Sequence, residues 1–580
     1  MKKTLLSLFL LTACATAPPP APAIAVDDLT LDQKIGQLFV YAANGDFMNR
    51  GSAEWQKLER LVGESGIGGV HWYAADVLET AWMNAELQEL AEVPLLVSAD
   101  LESGVGMRFA DATHWPWAMA LAATGDPSLA ERAGRIVARE ALAVGINQLY
   151  APVADVNNNP DNPVINVRSF GENPEDVGAF VAAFVRGVQA EGAIATVKHF
   201  PGHGDTQTDS HRSLPVLDVT RERLEEVELV PFRAAIDAGV GSVMIAHLSV
   251  PSVDPTPAPV RANRPADESS EAASDDELSL GASLPASLSP RIVGGLLRNE
   301  LGYDGLVVTD ALTMGGIVHH FDAGESAVRA IEAGVDHLVK SPDVDAAIAG
   351  VRAAVASGRL TEARIDESVR RILAAKRRVP PYAFDPERVA TTFDAPEHRA
   401  VAAEIARKAI TLLREEPGAL PLRRDARIVE LVVSDMPEAG TPLPQFASAL
   451  RPSARFLLDR RSTDEDVAPV LDAAAGADVV VVSLAVRTRS GAGRLAVPEV
   501  AREAIARILE GDAGVVAISF GNPYVIRELP DLPTYLVTYG PQPVMQAAAA
   551  RALFGEAPIG GRIPVTIPGL FERGAGIVKR

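Results

Sequence analysis

Residues 197 to 211 read Val-Lys-His-Phe-Pro-Gly-His-Gly-Asp-Thr-Gln-Thr-Asp-Ser-His and hold most of the chemistry legible in the chain. A short apolar run, Gly192 to Lys198, has the pattern of a buried strand, and a helical pattern resumes near Thr220. A stretch of about twenty residues between two elements of a compact domain is usually functional or disordered. Lys198, His199, His203, Asp205, Asp209 and His211 favour function, with Gly202 and Gly204 available for tight bends. Three chemistries fit these residue types. His199 and His203, with Asp209 and His211, have the ligand types of a metal site. Their four-residue spacing works only on a helix, which Pro201-Gly202 argues against. Asp209-Ser-His211 fits an acid/base dyad, since side chains two apart in an extended segment point the same way. A plain solvated loop is the third.

Lys-His-Phe-Pro-Gly-His-Gly followed by Asp-Ser-His resembles the signature of glycoside hydrolase family 3, in its β-N-acetylhexosaminidase branch. The resemblance implies that an Asp-His pair serves as general acid/base where most glycosidases use a carboxylic acid. Asp209 and His211 take that position, and Lys198 and His199 fall where the family binds sugar. Asp310 ends the apolar run Gly305-Leu-Val-Val-Thr and matches the family nucleophile. A retaining glycosidase needs such a carboxylate to form and release a glycosyl ester; otherwise an Asp at a strand end caps the next helix. Asp100-Leu-Glu-Ser-Gly-Val-Gly-Met-Arg108 is similar to the family's Asp-x-Glu-Gly-Gly-x-Val-x-Arg segment, placing Asp100 and Arg108 on sugar hydroxyls. Ser103 and Val105-Gly106 depart from that pattern and alter the expected loop shape. Arg168, in Asn166-Val-Arg-Ser-Phe-Gly, falls on a further substrate-binding position, where a planar guanidinium suits bidentate contact. Asp155 reads as structural, orienting the asparagine-rich loop after it.

These residues require a scaffold that brings strand ends together. Between residues 28 and 375, eight apolar runs are separated by helix-sized intervals. They are 38–42, 66–72, 94–98, 146–150, 194–198, 242–247, 305–309 and 335–339. The pattern predicts an α/β fold with a (β/α)8 barrel of the TIM type. Asp100, Lys198, His247, Asp310 and Lys340 all stand at or just past the C-terminal ends of these runs, where such barrels build their sites. Residues 254–285, rich in Pro, Ala, Ser and acids, read as a mobile insertion. Residues 376–400 read as a linker. Further continuous apolar runs at 428–433, 478–484, 514–520 and 534–539 predict a C-terminal α/β sandwich domain over 401–580, its sheet mostly parallel.

Met1-Lys-Lys and the apolar Leu5 to Leu11 form a secretory signal too short to span a bilayer. Leu11-Thr-Ala-Cys14 resembles a bacterial lipobox, which implies lipidation of Cys14, with residues 15–27 as a Pro/Ala-rich tether. The expected location is the cell envelope, with membrane contact through the lipid alone. Cys14 is the single cysteine, so no disulfide forms within the chain. A net charge of −22 over 580 residues argues against nucleic-acid binding. No metal or cofactor is expected; the expected partner is a carbohydrate, by resemblance terminal β-linked N-acetylglucosamine of peptidoglycan fragments. The β-glucosidase branch of the family takes its acid from a loop of the second domain. Here no carboxylate lies between Asp478 and Glu499, so the barrel must supply it.

Overall fold

The computed structural model describes residues 24–580 apart from 211, 260, 262–281, 437–439 and 487–495. The signal, Cys14 and most of the tether lie outside the described residues. No helix among the described residues is long and apolar enough to cross a membrane.

The first domain is a barrel of eight parallel strands: β1 (Phe39–Gly45), β2 (Gly69–Ala75), β3 (Leu96–Ala99), β4 (Gln148–Leu149), β5 (Ile194–Phe200), β6 (Ser242–Ile245), β7 (Leu306–Thr309) and β8 (Leu338–Val339). Each pairs with its sequence neighbour, β8 pairs with β1, and a bridge from Val308 to His337 closes the ring. Strands covered on both faces need unbroken apolar runs, and Leu306-Val-Val-Thr and Ile194-Ala-Thr-Val supply them. All eight predicted strands are present, two of them cut to two residues each. β4 stops before Ala151-Pro152, because proline has no N–H for the ladder. β8 begins late because the backbone N–H groups of Asp336 and His337 both reach the Val307 carbonyl. Side-chain caps start most of the outer helices; Asn173 accepts from the Asp176 amide at 2.9 Å to open helix Pro174–Ala190.

The predicted linker is firmly seated. It contains the helix Pro386–Thr392, and Phe384, Val389 and Phe393 pack on the barrel core. Tyr382 donates its hydroxyl to the carbonyls of Ala81 and Ala143, each at 3.2 Å. The ends of the predicted insertion are also built in. Pro257 bridges Ser283, Leu284 is buried, and Asp254 accepts from the Ser289 hydroxyl at 2.5 Å. Polar caps and one buried leucine suffice to hold these ends despite the low-complexity sequence between them.

The second domain holds a six-stranded sheet of β9 (Thr411–Arg414), β10 (Ile428–Ser434), β11 (Ala454–Leu458), β12 (Val479–Ala485), β13 (Gly514–Ser519) and β14 (Tyr535–Val537). Their order is β11-β10-β12-β13-β14-β9, parallel except that β9 runs antiparallel to β14. Four of the six carry the predicted apolar runs. β9 and β11 occupy the two edges, and their sequences, Thr-Leu-Leu-Arg and Ala-Arg-Phe-Leu-Leu, carry an arginine each, as an edge allows.

Candidate active site

Lys198 is the hub of the barrel mouth. It lies near the end of β5, its side chain 3% exposed, and its ammonium reaches Asp100 Oδ1 at 2.7 Å and Glu102 Oε1 at 2.6 Å. Asp100 follows β3 and accepts on its other oxygen from Arg108 Nη2 at 2.6 Å, with His71 Nε2 3.6 Å away. Glu102 takes Arg168 in a two-pronged pair, Nε to Oε2 at 2.7 Å and Nη2 to Oε1 at 2.8 Å. Burial opposes ionisation of Asp100, but Lys198 and Arg108 hold its carboxyl well below the usual carboxylate range. Glu102 is likewise buried, and Arg168 and Lys198 hold it low. Burial would discharge Lys198, yet the two carboxylates keep its pKa above the ordinary lysine value. The cluster is therefore fully ionised at neutral pH, with donors fixed in direction. Such a cradle of oriented charges suits hydroxyl groups.

Tyr73, near the end of β2, forms a wall beside it. The Lys340 ammonium sits over its ring at 4.2 Å and the Arg108 guanidinium at 5.5 Å. Burial lowers the pKa of Lys340 and raises that of Tyr73, whose hydroxyl stays protonated. Asp100 and Asp310 both act on Tyr73 electrostatically, so the cradle and the candidate nucleophile share this wall. Asp310 directly follows β7, half-buried, and its Oδ1 accepts from the Ala311 amide at 2.7 Å. His247, another strand-end residue, contacts the Ala311 carbonyl through Nε2 at 3.0 Å and Ser287 Oγ through Nδ1 at 2.8 Å. It braces the turn that carries Asp310.

The loop after β5 hangs from one carboxylate. Asp155 is fully buried; its Oδ2 lies 2.6 Å from His199 Nδ1, and its Oδ1 accepts the backbone N–H groups of His199 at 3.2 Å and His203 at 2.7 Å. Asp155 is thus structural as expected, but it orients this histidine loop rather than the asparagine-rich one. His199 Nε2 is 3.3 Å from Arg168 Nη2, which joins the loop to the cradle. At Gly204 a Cβ would lie 1.8 Å from the Val156 carbonyl oxygen, so only glycine lets the chain pass. Asp209 is buried on this loop, 2% exposed, and His211 lies outside the described residues.

The chain matches the model of the glycosyl hydrolase family 3 N-terminal domain over residues 30–375 and that of the C-terminal domain over 410–573. The protein belongs to glycoside hydrolase family 3. It is similar to a "Beta-N-acetylglucosaminidase/beta-glucosidase" of Cellulomonas fimi, 32% identical over 555 residues, which cover 92% of this chain and 93% of that protein. It is 34% identical over 403 residues to "Beta-hexosaminidase A" of Pseudoalteromonas piscicida, covering 65% of this chain and 64% of the relative. Among solved structures, a family 3 β-N-acetylglucosaminidase from Paenibacillus sp. str. FPU-7 superposes with a TM-score of 0.79 at 35% identity, over 93% of this chain and 99% of that one.

The structure brings Asp100, Arg108, Arg168, Lys198 and His199 of this glycoside hydrolase into one connected set. Glu102 is the member that sequence reasoning did not single out. Its signal was the Asp-x-Glu spacing, which puts two carboxylates within reach of one lysine. The hydrolase also uses its second domain to hold the loop that carries Arg168. Asn157 Nδ2 donates to Tyr524 Oη at 2.9 Å, Asn166 Nδ2 to Asn522 Oδ1 at 3.2 Å, and Glu172 accepts from the Thr566 amide and hydroxyl, both at 2.6 Å. A Cβ at Gly171, whose φ is +142°, would lie 2.6 Å from the Pro564 carbonyl, so the domains meet here at backbone contact.

Proposed function

We propose that this glycoside hydrolase removes terminal, non-reducing β-linked N-acetylglucosamine with retention of configuration, through a covalent glycosyl-enzyme on Asp310. The observation that supports the reading is that Asp310 directly follows β7, at the same strand ends that carry the ionised Asp100–Lys198–Glu102 cluster. A sugar ring held there by its hydroxyls would present C1 to the carboxylate. His211, protonated, would give its proton to the leaving oxygen as Asp310 attacks, then take one from water as the ester is cleaved. Asp209 would orient the imidazole and stabilise its charged form. Imidazole suits both halves of the cycle because its pKa lies near neutrality. The names carried by the relatives support N-acetylglucosamine as the sugar. Peptidoglycan fragments are the natural glycan we infer, on the strength of the signal and the lipobox-like Leu-Thr-Ala-Cys14.

Two experiments bear on this. The purified protein should hydrolyse para-nitrophenyl β-N-acetylglucosaminide with kcat/KM at least about tenfold above the matching glucoside, a margin that one acetamido contact set can supply. Equal rates would make the site dual, in keeping with the two-part name of the Cellulomonas fimi relative, and reversed preference would assign it to glucosides. In fractionated bacterial cells the activity should sediment with membranes and become soluble in Cys14→Ser. Activity that is soluble in both would remove the anchor from the reading.

A further inference from the structure

We propose that His203 is a positioning residue for the acid/base pair, its imidazole fixing Ser210, the neighbour of both Asp209 and His211 in the sequence. This rests on the reading of Asp209 and His211 as the acid/base pair. His203, Thr206 and Ser210 are all buried. His203 Nδ1 lies 2.7 Å from Thr206 Oγ1, and His203 Nε2 lies 3.0 Å from Ser210 Oγ. The Thr206 hydroxyl donates its one proton to the His203 carbonyl at 3.0 Å. Towards the ring it can therefore only accept, so Nδ1 carries the hydrogen. Nε2 of the neutral imidazole is then a bare acceptor, and the Ser210 hydroxyl donates to it. One tautomer satisfies every group in the chain Ser210–His203–Thr206. Burial keeps the ring neutral, pushing its pKa down to about 4 against the pull of Asp155.

The anchor is itself held from two sides. Asp155 Oδ1 accepts the His203 amide at 2.7 Å. Asn162 Nδ2 donates to the His203 carbonyl at 2.9 Å and the Gly204 carbonyl at 3.0 Å. His203 thus spans its own loop, from the end fastened beside β5 to a residue seven positions on. Both ring nitrogens are engaged by hydroxyls, so the ring has no proton to exchange with a substrate. Its hydrogen bond to Ser210 reaches the one residue between Asp209 and His211 in the chain, while its ring also stands edge-on to His199 at 6.0 Å.

The readout that separates this role from general packing is leaving-group dependence. Protonation of the leaving oxygen matters for an alkyl glycoside and hardly at all for a 2,4-dinitrophenyl glycoside. Ser210→Ala and His203→Leu should lower kcat/KM on methyl β-N-acetylglucosaminide by about tenfold or more, the scale of a misplaced catalytic group. On the dinitrophenyl substrate both should stay within about twofold of the parent. His203→Gln, whose amide oxygen can still accept from Ser210, should recover most of the loss. Ser210→Ala removes one oxygen atom and keeps the fold, checked by circular dichroism, so the test survives if His203→Leu misfolds. His211→Ala is run alongside. If it discriminates between the substrates while Ser210→Ala loses nothing, or loses equally on both, the positioning role is overturned. If His211→Ala itself loses equally on both, the acid/base assignment falls and this inference falls with it.

Discussion

Asp310→Asn should lower kcat on para-nitrophenyl β-N-acetylglucosaminide on the order of 10⁴-fold or more, the scale seen when a covalent nucleophile is removed. KM should stay within a few-fold, because Lys198 keeps its ion pairs with Asp100 and Glu102. Asparagine is the informative replacement. Asp310 Oδ1 accepts from the Ala311 amide at 2.7 Å, and an asparagine Oδ1 keeps that bond, so the turn after β7 is preserved while the charge is lost. His247 continues to brace the same turn through the Ala311 carbonyl. In Asp310→Gly the vacated space admits azide, which should restore turnover and yield the α-glycosyl azide. That product follows from one displacement where the parent enzyme makes two. Retention of more than about 1% of parental kcat by Asp310→Asn would remove Asp310 from the nucleophile's role. So would a β-configured azide product from Asp310→Gly.

The fold was legible where burial on both faces left the sequence no freedom. All eight barrel strands are short apolar runs, and a strand-end Asp, Lys or His after such a run is conspicuous because it breaks the pattern at a fixed place. Asp100, Lys198, His247, Asp310 and Lys340 stood out for that reason. What a run of residues cannot show is which polar groups meet across the barrel. Glu102 comes two residues after Asp100 in a turn, and its importance lies in Lys198 and Arg168, 96 and 66 residues on. Tyr73 reads as one more aromatic in β2 until Lys340 and Arg108 are seen over its ring. Strand β11 escaped because its half-exposed edge tolerates Arg455, and β9 because its apolar run is only Leu412-Leu413 between Thr411 and Arg414. The packing of the linker was not legible for the opposite reason. Its anchoring groups, Tyr382, Phe384, Val389 and Phe393, are scattered through a polar stretch and only their common target unites them.

Lys198→Met should be costly in a way that depends on pH. The substitution keeps the length and apolar stem of the side chain but leaves Asp100 and Glu102 buried with one cation apiece, Arg108 and Arg168. Removing one partner from a buried ionic set costs about 3–5 kcal/mol. For a barrel of this size that corresponds to about 5 °C in the midpoint of its thermal transition. In the parent, both carboxyls have folded-state pKa values below their unfolded ones. Their contribution to stability is therefore present at neutral pH and is lost only as pH falls through those low folded values. In the variant burial is less opposed, so both folded-state values rise, and keeping the carboxylates charged costs stability at neutral pH. Acidification below about pH 5 protonates the variant's carboxyls before the parent's. The gap in melting temperature should thus be widest near pH 7 and narrow steadily towards pH 4, as scanning calorimetry across that range would record. A gap that is constant with pH would mean that Lys198 contributes packing alone. In that case the ionised cradle would not be what holds the sugar hydroxyls. KM for the N-acetylglucosaminide supplies the second check, since the variant loses the one ammonium that ties Asp100 to Glu102. It should rise by about tenfold or more if donors and acceptors at the mouth are set by Lys198.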